Sequence, residues 1–220
     1  MSTISFLIKQ DLESLIEKDE LKLPSLPEII IDARDVAQNP KRSGADLAKV
    51  IGQDSAIAAK IIKAANNPAV RVNYLVTDIA SAVNRLGVDI ACNLTVGLAM
   101  SQVFQAASKV IDKKMKAIWA QNIQIAGIAE KITRLHTKLR PDVASLGGLV
   151  HTIGILPILT YLDEKVVDLS DEIAIEEIIA EIHPLLGVKI LSVWDFPEQL
   201  VFIPGQYLNL ERNSATIDLC

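Results

Sequence analysis

The chain has 220 residues, half of them hydrophobic but only 4% aromatic, and a formal net charge of −5. That length supports one large domain or two small lobes, and a core limited to Ile, Leu, Val and Ala suits packed helices. The acidic balance argues against a broad phosphate-binding surface, and the two cysteines, Cys92 and Cys220, offer no disulfide framework.

Residues 4–20 read as an amphipathic helix, with Phe6, Leu7, Leu12, Leu15 and Ile16 on one stripe. The segment Leu23-Pro24-Ser25-Leu26-Pro27 stops it. Pro27 opens the next helix, which runs to about Gln38 and closes at Asn39-Pro40. Ser43-Gly44-Ala45-Asp46 has the pattern of a capping box. Gly52 ends the short helix that follows, and Asp54 caps the next. Asn66-Asn67-Pro68 ends that one. Asp78 caps another, terminated by Gly87, and residues 88–106 are apolar enough for a buried central helix. No segment shows sustained alternation, so no sheet is expected.

The polar segment 108–116 marks a change of texture and the expected lobe boundary: residues 1–108 form an N-terminal helical lobe and 109–220 a C-terminal one. A long helix is expected from within that segment to Leu135. Pro141 opens the helices leading through Gly147-Gly148-Leu149-Val150-His151-Thr152-Ile153-Gly154. Residues 163–171 read as a polar connection and 172–181 as an acidic helix. Pro184 is expected to start a separate helix, placing His183 at its edge as a capping or packing residue. Pro197 starts a short helix broken at Pro204-Gly205. The sum is an all-α chain of about a dozen helices.

No basic-then-apolar segment opens the chain, so no signal peptide is expected. The apolar run 147–162 is interrupted by His151, Thr152 and Pro157 and is expected to fall short of the roughly 20 residues that span a bilayer. A soluble, cytoplasmic protein is the expectation. There is no P-loop, no Gly-x-Gly-x-x-Gly, no Cys-x-x-Cys and no His-Glu-x-x-His. Residues 79–95 have the outline of a helix-turn-helix. The second helix carries Asp89, Asn93 and Thr95 but no Arg or Lys, so nucleic acid is not the expected partner.

Several stretches match one family in order and spacing. They are Leu23-Pro24-Ser25-Leu26-Pro27, Ile51-Gly52-Gln53-Asp54, Lys60-Ile61-Ile62-Lys63-Ala64-Ala65-Asn66 and Ile79-Ala80-Ser81-Ala82-Val83-Asn84-Arg85-Leu86-Gly87. Asn93-Leu94, Trp119, the His151 segment, and His183 through Gly187 to Trp194 and Pro197 complete the set. From about Leu23 to Gln206 the chain resembles the HDOD domain, a bacterial signalling module related to the HD phosphohydrolases. The resemblance implies a two-lobed, all-helical domain with an HD-like C-terminal lobe. It also implies a regulatory or protein-interaction role without demonstrated catalysis.

HD phosphohydrolases hold one or two divalent ions with a His, a His-Asp pair and a later Asp, and the metal activates a water. Carried over to this chain, the first His falls at Gln121 and the pair at His151-Thr152. Tyr207 and Leu208 fall where relatives place a late His pair. An amide and a threonine do not replace an imidazole and a carboxylate. The relic site is therefore Gln121, His151, Thr152 and His183, with no catalytic residue, no metal and no cofactor expected. His151 reads first as a core histidine bonded to a backbone carbonyl. Binding is then the expected activity, with a signalling protein or a small signalling nucleotide as partner. A metal-dependent phosphohydrolase acting on a nucleotide or cyclic dinucleotide is the alternative. One candidate surface is the loop bearing Asn66, Asn67, Arg71 and Tyr74. The segment 201–207 either covers the relic cleft or docks a partner.

Overall fold

A computed structural model of the chain describes residues 3–68, 74–165 and 172–209. Among the described residues there are twelve helices and no strand, so the protein is all-α. They fall into two compact units.

Residues 26–103 make one unit from α2 (Glu28–Gln38), α3 (Gly44–Ile51), α4 (Ser55–Ala65), α5 (Ile79–Leu86) and α6 (Val88–Val103). Local chemistry sets its punctuation. The Ser43 N–H donates to Asp46 Oδ2 at 3.0 Å in a capping box. Asp54 accepts from the N–H groups of Ala56 and Ile57 at 2.9 and 3.0 Å, and Asp78 accepts from that of Ser81 at 2.8 Å. These bonds hold both carboxyls below the usual range, Asp54 chiefly through Ile57 and Asp78 chiefly through Ser81. Gly87 ends α5 at φ +86°, where a Cβ would be strained. Leu47, Ile51, Ile57, Ile61, Val83, Val96 and Met100 form the core, each at most 2% exposed and each worth about 1.5–3 kcal/mol in burial. The second helix of the helix-turn-helix outline belongs to this core: Thr95 is fully buried and donates to the Ala91 carbonyl at 2.7 Å.

The other unit spans residues 1–25 and 104–220. It contains α1 (Thr3–Glu17), α7 (Lys109–His136), α8 (Pro141–Val150), α9 (Ile155–Glu164), α10 (Glu172–Val193), α11 (Glu198–Val201) and α12 (Ile203–Gln206). Here the structure divides the chain differently from the expected boundary at 108. Helix α1 packs with the C-terminal helices: Leu12 is fully buried, Lys9 pairs with Glu181 at 2.5 Å, and the Tyr161 hydroxyl donates to Asp11. Burial and that acceptor push the Tyr161 phenol up to about 12. Periodicity shows that α1 has an apolar face, but not which distant helix takes it.

A second difference is at Pro184, which lies inside α10. Its ring removes one N–H from the ladder, yet Ile178, Ile179, Ile182, Leu186, Ile190 and Leu191, all at most 5% exposed, bury both halves of the helix. His183 therefore sits mid-helix. Pro204 likewise falls within α12, near its start, where a proline is tolerated.

Two glycines allow backbones to close on one another. A Cβ at Gly148 would lie 2.5 Å from Ala126 Cα on α7, and one at Gly154 would lie 2.0 Å from the His183 carbonyl oxygen on α10. The glycines flanking His151 thus serve helix packing. Across the turn between α8 and α9, residues Pro141–Glu164 form a 24-residue stretch long and apolar enough to cross a membrane. Its most apolar part is 72% buried among the neighbouring helices, so the fold itself takes up that surface.

Candidate functional site

Helices α7, α8, α9, α10 and α12 surround a cavity of about 820 Å³. Gln121, His151, Thr152 and His183, drawn from three parts of the sequence, all line it. Ile118, Ile125, Ile155, Ile179 and Ile203 contribute to its apolar wall, and Tyr207 and Leu208 also line it. Within the segment 201–207, Ile203 and Tyr207 line the cleft.

His151 follows the last residue of α8 and is 6% exposed. Its Nδ1 lies 2.8 Å from the Gly148 carbonyl oxygen. A carbonyl only accepts, so the proton resides on Nδ1 and Nε2 keeps its lone pair. Burial lowers the pKa of this ring, outweighing the opposing effect of that hydrogen bond. The bland expectation for His151, a buried ring bonded to backbone, is met on this side of the imidazole.

Thr152 is committed elsewhere. Its Oγ1 accepts from Asn122 Nδ2 at 2.8 Å and donates to Asn122 Oδ1 at 3.0 Å, while Asn122 also donates to the Leu149 carbonyl at 3.1 Å. Asn122 is 1% exposed and fastens α7 to the His151 turn. No motif marks it. The available signal was a lone amide on the buried stripe of Trp119 and Ala126.

His183 is 1% exposed. Its Nε2 lies 3.1 Å from the Tyr207 hydroxyl, and its Nδ1 is buried without a partner. Burial first, then the neighbouring His151, push its pKa down to about 4. Tyr207 stands between the imidazoles, in a T-shaped contact with His151 (centroids 4.9 Å) and a tilted one with His183 (5.7 Å). At the rim Lys114 is ion-paired with Glu176.

The residues present do not fit an HD-type metal centre. Gln121 offers an amide and Thr152 a hydroxyl already engaged by Asn122. Glu176, the carboxylate lining the cavity, is held by Lys114. Among the described residues, no group of three or more His, Cys, Asp or Glu side chains is placed to share an ion.

Asn66, Asn67 and Tyr74 lie in the other unit and are not among the residues lining this cavity. Asn66 is a clamp: its side chain accepts from the Val76 N–H at 2.9 Å and donates to the Val76 carbonyl at 2.8 Å. Tyr74 is 73% exposed. Arg85 braces it, donating to the Tyr74 carbonyl at 3.0 Å with its guanidinium 4.5 Å from the ring centroid. Asn67 follows the Asn66 C-cap of α4, its N–H donating to the Ala64 carbonyl at 3.1 Å, and Arg71 lies outside the described residues.

An all-helical unit with these residues around one cavity defines an HD-related domain. The HDOD domain profile matches residues 23–206, and the chain belongs to the HDOD family. Among solved structures it is similar to one from Shewanella amazonensis SB2B named "putative metal-dependent phosphohydrolase". The TM-score is 0.80 at 26% identity, covering 97% of this chain and 79% of that one. An HDOD domain protein with unknown function from Geobacter sulfurreducens shares the fold with a TM-score of 0.70 at 19% identity, covering 96% and 72%. An uncharacterized protein from Treponema pallidum (strain Nichols) is 23% identical over 193 residues, which is 81% of this chain and 36% of that protein. The chain thus spans about a third of that relative's length.

Proposed function

We propose that this chain is a regulatory module that acts by binding a signalling protein or a small signalling molecule, and that its HD-type centre is no longer catalytic. One observation carries the reading. At the position where an HD centre needs a carboxylate stands Thr152, and its hydroxyl is bound to Asn122. Activating a water requires several ligands converging on one ion, and Gln121 adds no imidazole to His151. Membership of the HDOD family supports a regulatory role.

A second reading, metal-dependent hydrolysis of a nucleotide or cyclic dinucleotide, is favoured by the likeness to the Shewanella protein. Turnover of a chromogenic phosphodiester, with manganese, iron or zinc supplied in turn, separates the two. The proposal predicts no rate above the metal-only control. Turnover that disappears in His151→Ala would establish the hydrolase instead.

A further inference from the structure

Helix α7 carries two apolar rows. Ile111, Met115, Trp119, Asn122, Ala126 and Thr133 make the first, and all are buried. A second row runs beside it: Ile118, Gln121, Ile125, Ile128, Ile132 and Leu135, alternately three and four residues apart. That is the a and d spacing with which one helix receives another. Such a row drifts only about 20° per heptad around a straight helix, so it forms one strip about 25 Å long.

The strip is open in both halves. Ile118, Gln121 and Ile125 line the cavity. Ile128, Ile132 and Leu135 lie on the surface, between 52% and 60% exposed. Exposed apolar residues scattered singly are ordinary, but these three continue the cavity wall in register. The cleft and the surface strip are therefore two parts of one line along α7.

The charge beside the surface half selects a partner. Residues 131–140 hold four Lys and Arg side chains and no Asp or Glu, in a chain whose net charge is −5. Arg134 pairs with Glu130 and Arg140 with Asp142. Lys131 and Lys138 are exposed, and among the described residues neither enters an ion pair. Lys131 follows Ile128 by three positions and precedes Leu135 by four, so it borders the strip. A flat anionic bilayer would meet these lysines and the exposed side chains, but not the recessed half of the row. A rod can follow both.

We propose that α7 is the docking site for an amphipathic helix of a partner protein, with apolar residues at a and d spacing and acidic residues on its flanks. Its apolar side chains pack along the strip and enter the cleft, and its carboxylates meet Lys131 and Lys138. This assignment rests on the reading that the chain acts by binding, and it names the kind of partner.

Fluorescence anisotropy of the whole chain with a labelled peptide of three Glu-Leu-Ala-Ala-Leu-Glu-Lys heptads tests the assignment. Its flanking glutamates keep the peptide from pairing with itself. Saturable binding is expected at a Kd of about 50 µM or tighter. A peptide with Lys in place of the flanking Glu should bind at least about tenfold more weakly, as should Ile132→Glu against the acidic peptide. Ile132 is exposed, so that variant should keep its melting temperature. Ile173→Glu, on the exposed start of α10, should bind as the parent does. Absence of binding, equal binding of the basic peptide, or an unchanged Kd in Ile132→Glu would each overturn the assignment. So would a dimer of the chain that Ile132→Glu dissociates, or adhesion to phosphatidylglycerol vesicles that the same variant abolishes, since another occupant would then own the strip. Hydrolysis of a phosphodiester by the metal-supplied chain would instead overturn the regulatory reading, so the two failures are separable.

Discussion

Thr152 and Asn122 hold each other through two contacts, at 2.8 and 3.0 Å, across the junction of α7 with the His151 turn. The resemblance to HD phosphohydrolases puts Thr152 where those enzymes carry a carboxylate. Thr152→Val keeps the shape but leaves the Asn122 amide short of a partner in a buried setting. A loss of about 1–3 kcal/mol is expected in chemical denaturation. Thr152→Asp should also destabilise, because a carboxylate would be buried against the Asn122 carbonyl oxygen, and it should not confer metal binding while Gln121 remains.

Gly154 meets the His183 carbonyl so closely that a methyl group has no room, with 2.0 Å available. Gly154→Ala must push α9 away from α10, and a loss above about 3 kcal/mol is expected. Gly205 provides the contrast, since a Cβ there meets Val188 at an ordinary 3.5 Å. Gly205→Ala should stay within about 1 kcal/mol of the parent. Equal melting temperatures for the two variants would contradict this packing.

Both buried imidazoles make stability depend on pH. The unfolded chain takes up a proton at His183 near 6.5, whereas the folded chain resists until about 4. Between those values the unfolded state binds more protons, so stability falls as pH drops through the window and is level above it. Loss on the order of 2–3 kcal/mol is expected from His183 alone. His183→Phe should flatten that acid limb in urea titrations at successive pH values. At neutral pH it should change stability by no more than about 1 kcal/mol, because the orphan nitrogen leaves together with the Tyr207 bond.

Tyr74 is exposed and braced by Arg85, so Tyr74→Ala should cost less than about 1 kcal/mol. If this loop meets a partner protein, the variant should lose capture of that partner from the native host while keeping its melting temperature. Retained capture would direct attention away from the loop.

Much of the helical frame was legible in the sequence because its stops and starts are local. Asp54, Asp78, Ser43 with Asp46, and Gly87 act within a turn of themselves. The grouping of Gln121, His151, Thr152 and His183 was legible as well, since all four line one cavity. What escaped was long-range. Pro184 reads as a helix start, yet tertiary burial on both sides carries α10 through it. Leu12 does not announce that its apolar face belongs with the C-terminal helices. Asn122 and the Tyr207 contacts depend on helices that pass one another far apart in sequence, and no spacing rule exposes them.

Metal content of the full chain, purified without chelator and measured by elemental analysis, bears hardest on the binding reading. Well under 0.1 equivalent of iron, manganese or zinc per chain is expected, by about a factor of ten below one full site. About one equivalent, lost in His151→Ala, would contradict it.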